Sequence, residues 1–358
     1  MPTYIQIKQL TILNFRCYEK AQWNFSKRLN LLVGENGSGK TSILEAIYLM
    51  AYGRSFRQSK DAAWQQWGTS HFQIDGQWQR YGPLNLHIQG KNKKLKITLQ
   101  HRPLNLRKEL KETFPVLLNS PQGYRLIDGD HNERRKWLDQ TVMYCEPQCK
   151  IHYQSYLRAW MQRSRLLRSY GDASELIVWE EQMVIHGGHI QAYRQRICEQ
   201  LNSYLCQEVT WTQQLVQCEI ESHIPKDKKE WLSALSENRD KDKKTGRCFY
   251  GSHTDRLNIE YHEKEIRSVG SRGQQKLSSI AMKLAECSLR HYYTQIWPLL
   301  LLDDCFEALD KKHTAAVLQR LLIYSGQILV TSPQNIEISS DVDINILYIK
   351  PQQQNKEL

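Results

Sequence analysis

Residues 34–41 read GENGSGKT, and this short stretch constrains the fold more than any other part of the chain. It matches the pattern G-x-x-x-x-G-K-[ST], in which glycines let consecutive backbone N–H groups wrap a phosphate. The alternating run LNLLV precedes it, and apolar residues at helical spacing follow it from Thr41. A strand, a glycine-rich loop and a helix in this order predict a P-loop nucleotide-binding fold.

Each residue of this loop has a predicted role in binding ATP and Mg²⁺. Lys40 is predicted to reach the β and γ phosphates and so to act in catalysis, and the Thr41 hydroxyl is predicted to ligate Mg²⁺. The predicted nucleotide-binding residues of the loop are Gly34, Glu35, Asn36, Gly37, Ser38, Gly39, Lys40 and Thr41.

A P-loop also needs a carboxylate for the metal, and PLLLLDD at residues 298–304 supplies two after a wholly apolar strand. We predict that Asp303 holds Mg²⁺. Asp304, one residue further on, is predicted to polarise the attacking water as general base. The alternative for this second carboxylate is a helix cap or a solvated residue.

A second helix start completes the set of motifs. Residues 271–275 read SRGQQ after a glycine, so Ser271, Gly273 and Gln274 are predicted to present a hydroxyl and free amides at a helix N-terminus. Two such helix starts need one nucleotide each, or two chains that share a nucleotide. The alternative for SRGQQ, taken alone, is a plain capped helix. Asp310 follows in CFEALD, which resembles the loop that crosses to the partner subunit in ABC-type dimers.

The composition points to a polyanionic partner. Lys and Arg total 49 against 38 Asp and Glu, so the formal net charge is +11, which favours nucleic acid or an anionic membrane surface. No apolar run approaches the roughly 18 residues needed to cross a bilayer, and the first residues lack a signal-peptide pattern. We therefore expect a cytoplasmic protein with no membrane partner. Cys145 and Cys149 are the closest of nine cysteines, which favours reduced thiols over a zinc site.

The remaining patterns predict a helical lobe within the nucleotide-binding fold. Alternating runs predict two N-terminal strands separated by a polar turn at residues 18–20, and an antiparallel β-subdomain at 72–100. A heptad stripe predicts a long helix over 174–209, with Gly187-Gly188 as a kink, although a compact lobe without an arm remains an alternative. The charged run 225–246 is predicted to be a solvated loop. The expected domains are an ATPase lobe from 1–118 and 249–358 and a mostly helical lobe from 119–248.

With these motifs in place, the sequence resembles the RecF family over nearly its whole length. The resemblance implies an α/β P-loop NTPase fold of ABC/SMC type, with a mixed sheet and an inserted, mostly helical second lobe. The sequence departs from the family's usual residues in SPQGY around Gln122 and in GSHT around Thr254, two places expected to affect contacts or coupling between the lobes. The matching stretches are LTILNFRCYEKAQWNF, NLLVGENGSGKTSILEAIYLMAYGRSFR, SPQGYRLIDGDHNERRKWLD, YGSHTDRLNI, SRGQQKL and LLLLDDCFEALD.

The resemblance also implies an activity and its partners. These are an ATP-induced homodimer, weak DNA-stimulated ATP hydrolysis, and binding of double-stranded DNA and of single/double-strand junctions. RecO and RecR are the implied protein partners, with roles in recombinase loading, replication, recombinational repair and the SOS response.

No DNA-reading motif is evident, so the expected DNA binding is dominated by phosphate contacts and independent of sequence. Three readings compete with this one: an ABC transporter ATPase, a DNA clamp that uses ATP only to dimerise, and an overcoming-lysogenisation nuclease, which needs a further acidic domain. The basic groups considered for DNA are Lys91, Lys93, Lys94 and Lys96, then Arg134, Arg135 and Lys136, then the basic helix Arg158–Arg168.

Overall fold

The computed structural model describes residues 4–57, 64–91, 94–104, 107–121, 126–169, 173–336 and 344–351. They divide into two compact units. The first, the ATPase unit, takes residues from both chain ends, Met1–Tyr124 and Arg272–Leu358. The second, the inserted unit, is Arg125–Ser271. These boundaries fall later than the expected 118/119 and 248/249, because strands at 116–119 and 256–261 pair within the first and second units respectively.

A parallel sheet forms the centre of the ATPase unit, in the order β14-β3-β13-β12-β8. Strands β3, β12 and β13 are buried along their whole length. Burial on both faces explains why β12 is a continuous apolar run, LLLL. The polar residues Asn30 of β3 and Thr331 of β13 are buried as well. The strands are β3 (Leu29–Val33), β8 (Val116–Asn119), β12 (Leu299–Leu302), β13 (Ile328–Ser332) and β14 (Ile344–Tyr348), and the helices of this unit are α1 (Lys40–Tyr52), α2 (Arg107–Thr113), α9 (Arg272–Thr294) and α10 (Lys311–Leu322).

An antiparallel sheet in the order β2-β1-β4-β5-β6-β7 completes this unit. The predicted turn at residues 18–20 is wrong, because these residues begin β2, which pairs with β1 from Phe15–Tyr18 onward. The antiparallel subdomain predicted at 72–100 is confirmed. One apolar core joins both sheets through α1. The strands are β1 (Gln6–Phe15), β2 (Tyr18–Asn24), β4 (His71–Gln79), β5 (Pro83–Lys91), β6 (Lys94–Leu99) and β7 (Arg102–Pro103).

The inserted unit is mostly helical, and its longest helix is α5. At about 1.5 Å per residue, its 40 residues span roughly 60 Å, so the predicted long helix is confirmed. Gly187 lies within it and allows close packing, because a Cβ there would overlap the Trp231 ring. The run 225–246, predicted to be a loop, instead forms α6 and α7. The elements are α3 (His131–Cys145), a 3₁₀ turn (Pro147–Cys149), α4 (Lys150–Arg168), α5 (Ala173–Thr212), β9 (Val216–Glu221), α6 (Lys228–Glu237), α7 (Arg239–Thr245), β10 (Arg256–Tyr261), β11 (Lys264–Glu265) and α8 (Ile266–Val269).

The charged run folds into helices because a few of its residues are buried. Asp227 caps α6 by accepting hydrogen bonds from the backbone N–H groups of Lys229 and Glu230. Trp231 and Leu235 then enter the apolar core of the inserted unit. A sparse apolar pattern can therefore specify a helix when a cap fixes where the helix begins. None of the helices over the described residues combines the length and the apolar character that a membrane crossing requires.

Candidate nucleotide-binding site

The loop between β3 and α1 has the backbone shape that phosphate binding requires. Gly37 and Gly39 have φ values of +83° and +104°, which glycine adopts readily and other residues rarely adopt. The Nζ of Lys40 donates to the carbonyl oxygens of Gly34 (2.6 Å) and Glu35 (2.9 Å). The lysine therefore reaches back over the loop from the first turn of α1, where a phosphate would lie between it and the backbone amides.

A tyrosine from β2 supports this loop from below. Tyr18 is fully buried, and its hydroxyl donates to the Ser38 carbonyl oxygen (3.5 Å). A Cβ at Gly39 would overlap this hydroxyl, so the glycine is needed for packing as well as for its φ. The Ser38 Oγ is buried, and among the described residues it has no hydrogen-bond partner. An orphaned buried hydroxyl in this loop fits a site built to bind an anion.

The two predicted carboxylates follow β12, the strand that lies beside β13. The Thr41 hydroxyl donates to Asp303 Oδ1 (3.0 Å), and the Thr331 hydroxyl from the end of β13 donates to the same oxygen (2.9 Å). A carboxylate with two hydroxyl oxygens beside it is an all-oxygen donor set, which is the kind that Mg²⁺ prefers. Sequence reasoning missed Thr331, although a polar residue at the carboxyl end of a buried parallel strand was a usable signal.

Asp304 is held in a defined backbone conformation beside this pair. Its φ is +47°, in the left-handed region that is uncommon for residues other than glycine. Its backbone N–H donates to the Thr331 hydroxyl (2.7 Å), and its carbonyl oxygen accepts from the Nζ of Lys276 (2.6 Å). The two bonds fix the main chain, so the direction in which the Asp304 side chain leaves the backbone is set by the surrounding fold.

Burial shifts the protonation of the central groups. Desolvation lowers the pKa of Lys40, and the neighbouring charges of Asp304 and Asp303 oppose that shift. Desolvation raises the pKa of Asp303, and the negative charge of Asp304 adds to the effect. Both shifts mean that the charged forms are less stable here than in water, which is expected where an oppositely charged ligand is to be bound.

These residues surround an open cavity of about 1140 Å³. Several predicted residues line it, including Lys40, Thr41 and Asp304. Arg16 and Arg57, which the sequence analysis did not single out, also line it, and both pair with the buried Glu45. The full lining is Arg16, Cys17, Asn36, Gly37, Gly39, Lys40, Thr41, Ser42, Arg57, Gln65, Gln66, Trp67, Gly68, Thr69 and Asp304.

The residues of the second motif lie at two other helix starts. Helix α9 begins at Arg272, directly after the exposed Ser271, as the sequence predicted. Gly273 faces the Ala308 carbonyl oxygen, which would lie 3.3 Å from a Cβ. Asp310 caps α10 by accepting from the His313 backbone N–H (2.8 Å). Gly273, Gln274 and Asp310 are not among the described residues that line the cavity.

The structure removes two arginines from the basic groups considered for DNA. Arg134 and Arg163 are fully buried and pair with carboxylates, so they hold the inserted unit together. Lys93 and Gln122 lie outside the described residues. Thr254 closes a local turn by donating its hydroxyl to the Gly251 carbonyl oxygen (2.7 Å). The exposed basic residues of these groups are Lys91, Lys94, Lys96, Lys136, Arg158, Arg165 and Arg168.

Comparison with known proteins places this site in a family context. The model of the RecF/RecN/SMC N terminal domain matches residues 6–356. The DNA replication and repair protein RecF of Clostridioides difficile (strain 630) is 31% identical over 344 residues, which cover 92% of each chain. A solved structure of the recombination mediator protein RecF-ATP in the RecFOR pathway superposes with a TM-score of 0.81 at 22% identity, covering 99% of this chain and 98% of that one. The Smc head domain of Pyrococcus furiosus superposes with a TM-score of 0.61 at 15% identity, covering 97% and 94%.

Proposed function

We propose, from the premise that this chain belongs to the RecF family, that it is an ATP-hydrolysing, DNA-binding protein of replication and recombinational repair. The observation that carries the proposal is the meeting of Lys40, Thr41, Asp303 and Asp304 beside one cavity. The first two come from the P-loop, and the carboxylates come from the far end of the chain. Phosphoryl transfer requires a phosphate-binding loop with a cation, a metal-binding hydroxyl and carboxylates around it.

Each residue has a definite task in this proposal. Lys40 and the amides of residues 34–41 bind the triphosphate, and Thr41 with Asp303 would hold Mg²⁺. The metal, when bound, neutralises charge on the phosphates. Asp304 orients the attacking water and accepts its proton. Its fixed main chain helps to position the side chain for this task.

The second motif is proposed to act across a homodimer that forms on ATP binding. Gly273, Gln274 and Asp310 are not among the described residues that line the cavity, which supports a role toward a nucleotide held by a second copy. Ser271 would supply its hydroxyl to that nucleotide, and the start of α9 would supply backbone amides. Asp310 would lie where its loop contacts the second copy. Hydrolysis in such a composite site ends the dimer, so slow turnover sets the time that it remains closed.

The closed dimer is proposed to bind double-stranded DNA and single/double-strand junctions through phosphate contacts. Support comes from the net charge of +11 and from the exposed lysines and arginines that the structure leaves free of the core. Binding of this kind weakens steeply with salt. DNA stimulation of the ATPase, recombinase loading with RecO and RecR, a role in the SOS response and a cytoplasmic location complete the proposal. The RecFOR context of the similar solved structure supports RecO and RecR as partners.

Mass measurement with and without a non-hydrolysable ATP analogue tests the proposal directly. We expect a monomer without nucleotide and a dimer with it. A Ser271→Arg variant should bind the analogue, remain a monomer and lose turnover. A monomer that hydrolyses ATP at full rate when saturated, or a Ser271→Arg variant that dimerises normally, would contradict the shared-site arrangement. Parallel DNA-binding measurements over a range of salt concentrations test the phosphate-dominated mode.

A further inference from the structure

One wall of the nucleotide cavity is a tight turn, Gln66–Thr69. The Thr69 backbone N–H donates to the Gln66 carbonyl oxygen (3.2 Å), and Gly68 has a φ of +82°. A positive φ at the third residue is the signature of a type II β-turn, with Trp67 at the second position. The Gln66 N–H donates to the Asn14 carbonyl oxygen (2.8 Å), so the turn is anchored to the end of β1.

Trp67 projects from this anchored turn with almost its whole side chain in solvent. It is 98% exposed, whereas Trp78 and Trp231 are buried in the cores of their units. It lines the cavity together with Arg16, whose backbone N–H donates to the Trp64 carbonyl oxygen (2.8 Å) at the base of the same turn. A flat ring of this size on a fixed backbone can be covered by a ligand with little additional loss of conformational freedom.

We propose that Trp67 stacks on the purine base of the bound nucleotide, an inference that rests on the proposed function. Lys40 and Thr41 would fix the position of the triphosphate, because they supply a cation over the loop and a hydroxyl beside Asp303. The wall contributed by residues 65–69 (QQWGT) is uncharged, so it matches the neutral, aromatic part of the same molecule. Stacking of a base on an aromatic side chain depends little on base identity, because every base has a π-face.

Two ligands separate base stacking from phosphate binding. ATP carries the base, and inorganic tripolyphosphate carries only the charge. Affinities for both, with Mg²⁺ present, are measured on the full chain by direct ATP binding and by competition with tripolyphosphate. Trp67→Ala should weaken ATP binding about 5- to 150-fold and leave tripolyphosphate binding unchanged. Trp67→Phe should restore most of the ATP affinity, because it keeps a ring.

Tyr81→Ala is the matched control, since Tyr81 is another exposed aromatic in this unit that does not line the cavity. It should change neither affinity. Unchanged ATP binding by Trp67→Ala overturns the stacking role while the proposed function stands. An equal loss for both ligands also overturns it, because that loss reports a distorted site. A wild-type chain that binds neither ligand overturns the proposed function itself.

Discussion

The inserted unit and the nucleotide site both bury charged groups, but they give them opposite kinds of partner. Arg163 in the inserted unit is fully buried and bonds to the carboxylates of Glu180 (3.0 Å) and Asp242 (2.6 Å). In the site, Lys40 bonds to backbone carbonyl oxygens, and Asp303 bonds to hydroxyls. The charge of Arg163 is therefore paired with opposite charges, whereas Lys40 and Asp303 form hydrogen bonds to neutral dipoles.

This difference separates charges that maintain the fold from charges that await a ligand. A buried ion is costly unless it is paired, and removing one member of a buried pair leaves its partner uncompensated. Arg194, which bonds to Asp139 and Asp255, repeats the paired pattern in the inserted unit. Lys40 and Asp303 bond to neutral carbonyl and hydroxyl groups, so a triphosphate and a cation would complete their environment.

The sharpest test of this comparison is Asp304→Asn, with the largest expected effect. The rate of ATP hydrolysis should fall by about 10²- to 10⁴-fold, since the general base is lost. ATP binding and thermal stability should stay at wild-type values, because asparagine tolerates the positive φ at this position. Single-turnover kinetics measure the rate.

Glu307→Gln is the matched control, an exposed carboxylate of the same loop, and it should hydrolyse ATP normally. A normal rate in Asp304→Asn would remove Asp304 from the mechanism.

Arg163→Ala should lower the stability of the protein and leave its ATP binding unchanged. It leaves Asp242 buried without its cation and Glu180 paired with Arg239 alone, so the free energy of unfolding should fall by about 3–5 kcal/mol. Hydrogen exchange in α4 and α5 should report the loss, and the folded protein should bind ATP with unchanged affinity. Arg165→Ala, an exposed change on the same helix, should alter stability by less than about 0.5 kcal/mol. Equal stabilities for these two variants would show that the pairing contributes little.

Lys40→Ala should weaken ATP binding by about 30- to 5000-fold, as expected when one partner of a buried charge contact is removed. Thermal stability should not fall, because burial already lowers the pKa of Lys40 and so disfavours its charged form. Calorimetric titration gives the affinity, with the exposed Lys27→Ala as control. A large loss of stability in Lys40→Ala would place this lysine with the fold-maintaining charges.

Asp303→Asn should have the smallest effect of these variants on the measured free energies, a change in the stability of the protein without nucleotide. The sign of that change tests the comparison. Burial raises the pKa of Asp303, so the folded state holds the proton more tightly than the unfolded state and the ionised carboxylate opposes folding. The variant without nucleotide should therefore be more stable at neutral pH, by about 0.5–2 kcal/mol. This gain should shrink as the pH falls through the raised pKa toward 3.8, the ordinary value.

Asp310→Asn is the comparison variant for Asp303→Asn, because the pKa of Asp310 is shifted in the opposite direction. The His313 backbone N–H lowers the pKa of Asp310, so its charge stabilises the fold above the ordinary carboxyl pKa, and that contribution is lost as the pH falls. The variant should not gain stability at neutral pH. Denaturation curves across pH check both variants, and a stability gain in Asp310→Asn or its absence in Asp303→Asn would contradict the assignment.

Sequence patterns predicted the elements whose evidence is local. The strand, loop and helix around residues 34–41 were predictable because one run of residues determines both the backbone shape and the binding groups. The long helix α5 was predictable from its seven-residue repeat. The helices in 225–246 were missed, because only the packing of Trp231 and Leu235 offsets the surrounding charge.

By itself, the sequence determined that this chain carries a phosphate-binding loop, two carboxylates after a buried strand and a second helix start preceded by a serine. Tertiary structure alone decided that Thr331 shares Asp303 with Thr41, that Tyr18 supports Gly39 and that Arg134 and Arg163 are withdrawn from any surface. The physical reason is range. Backbone conformation and side-chain chemistry are written residue by residue, whereas burial and pairing depend on groups that only the folded chain brings together.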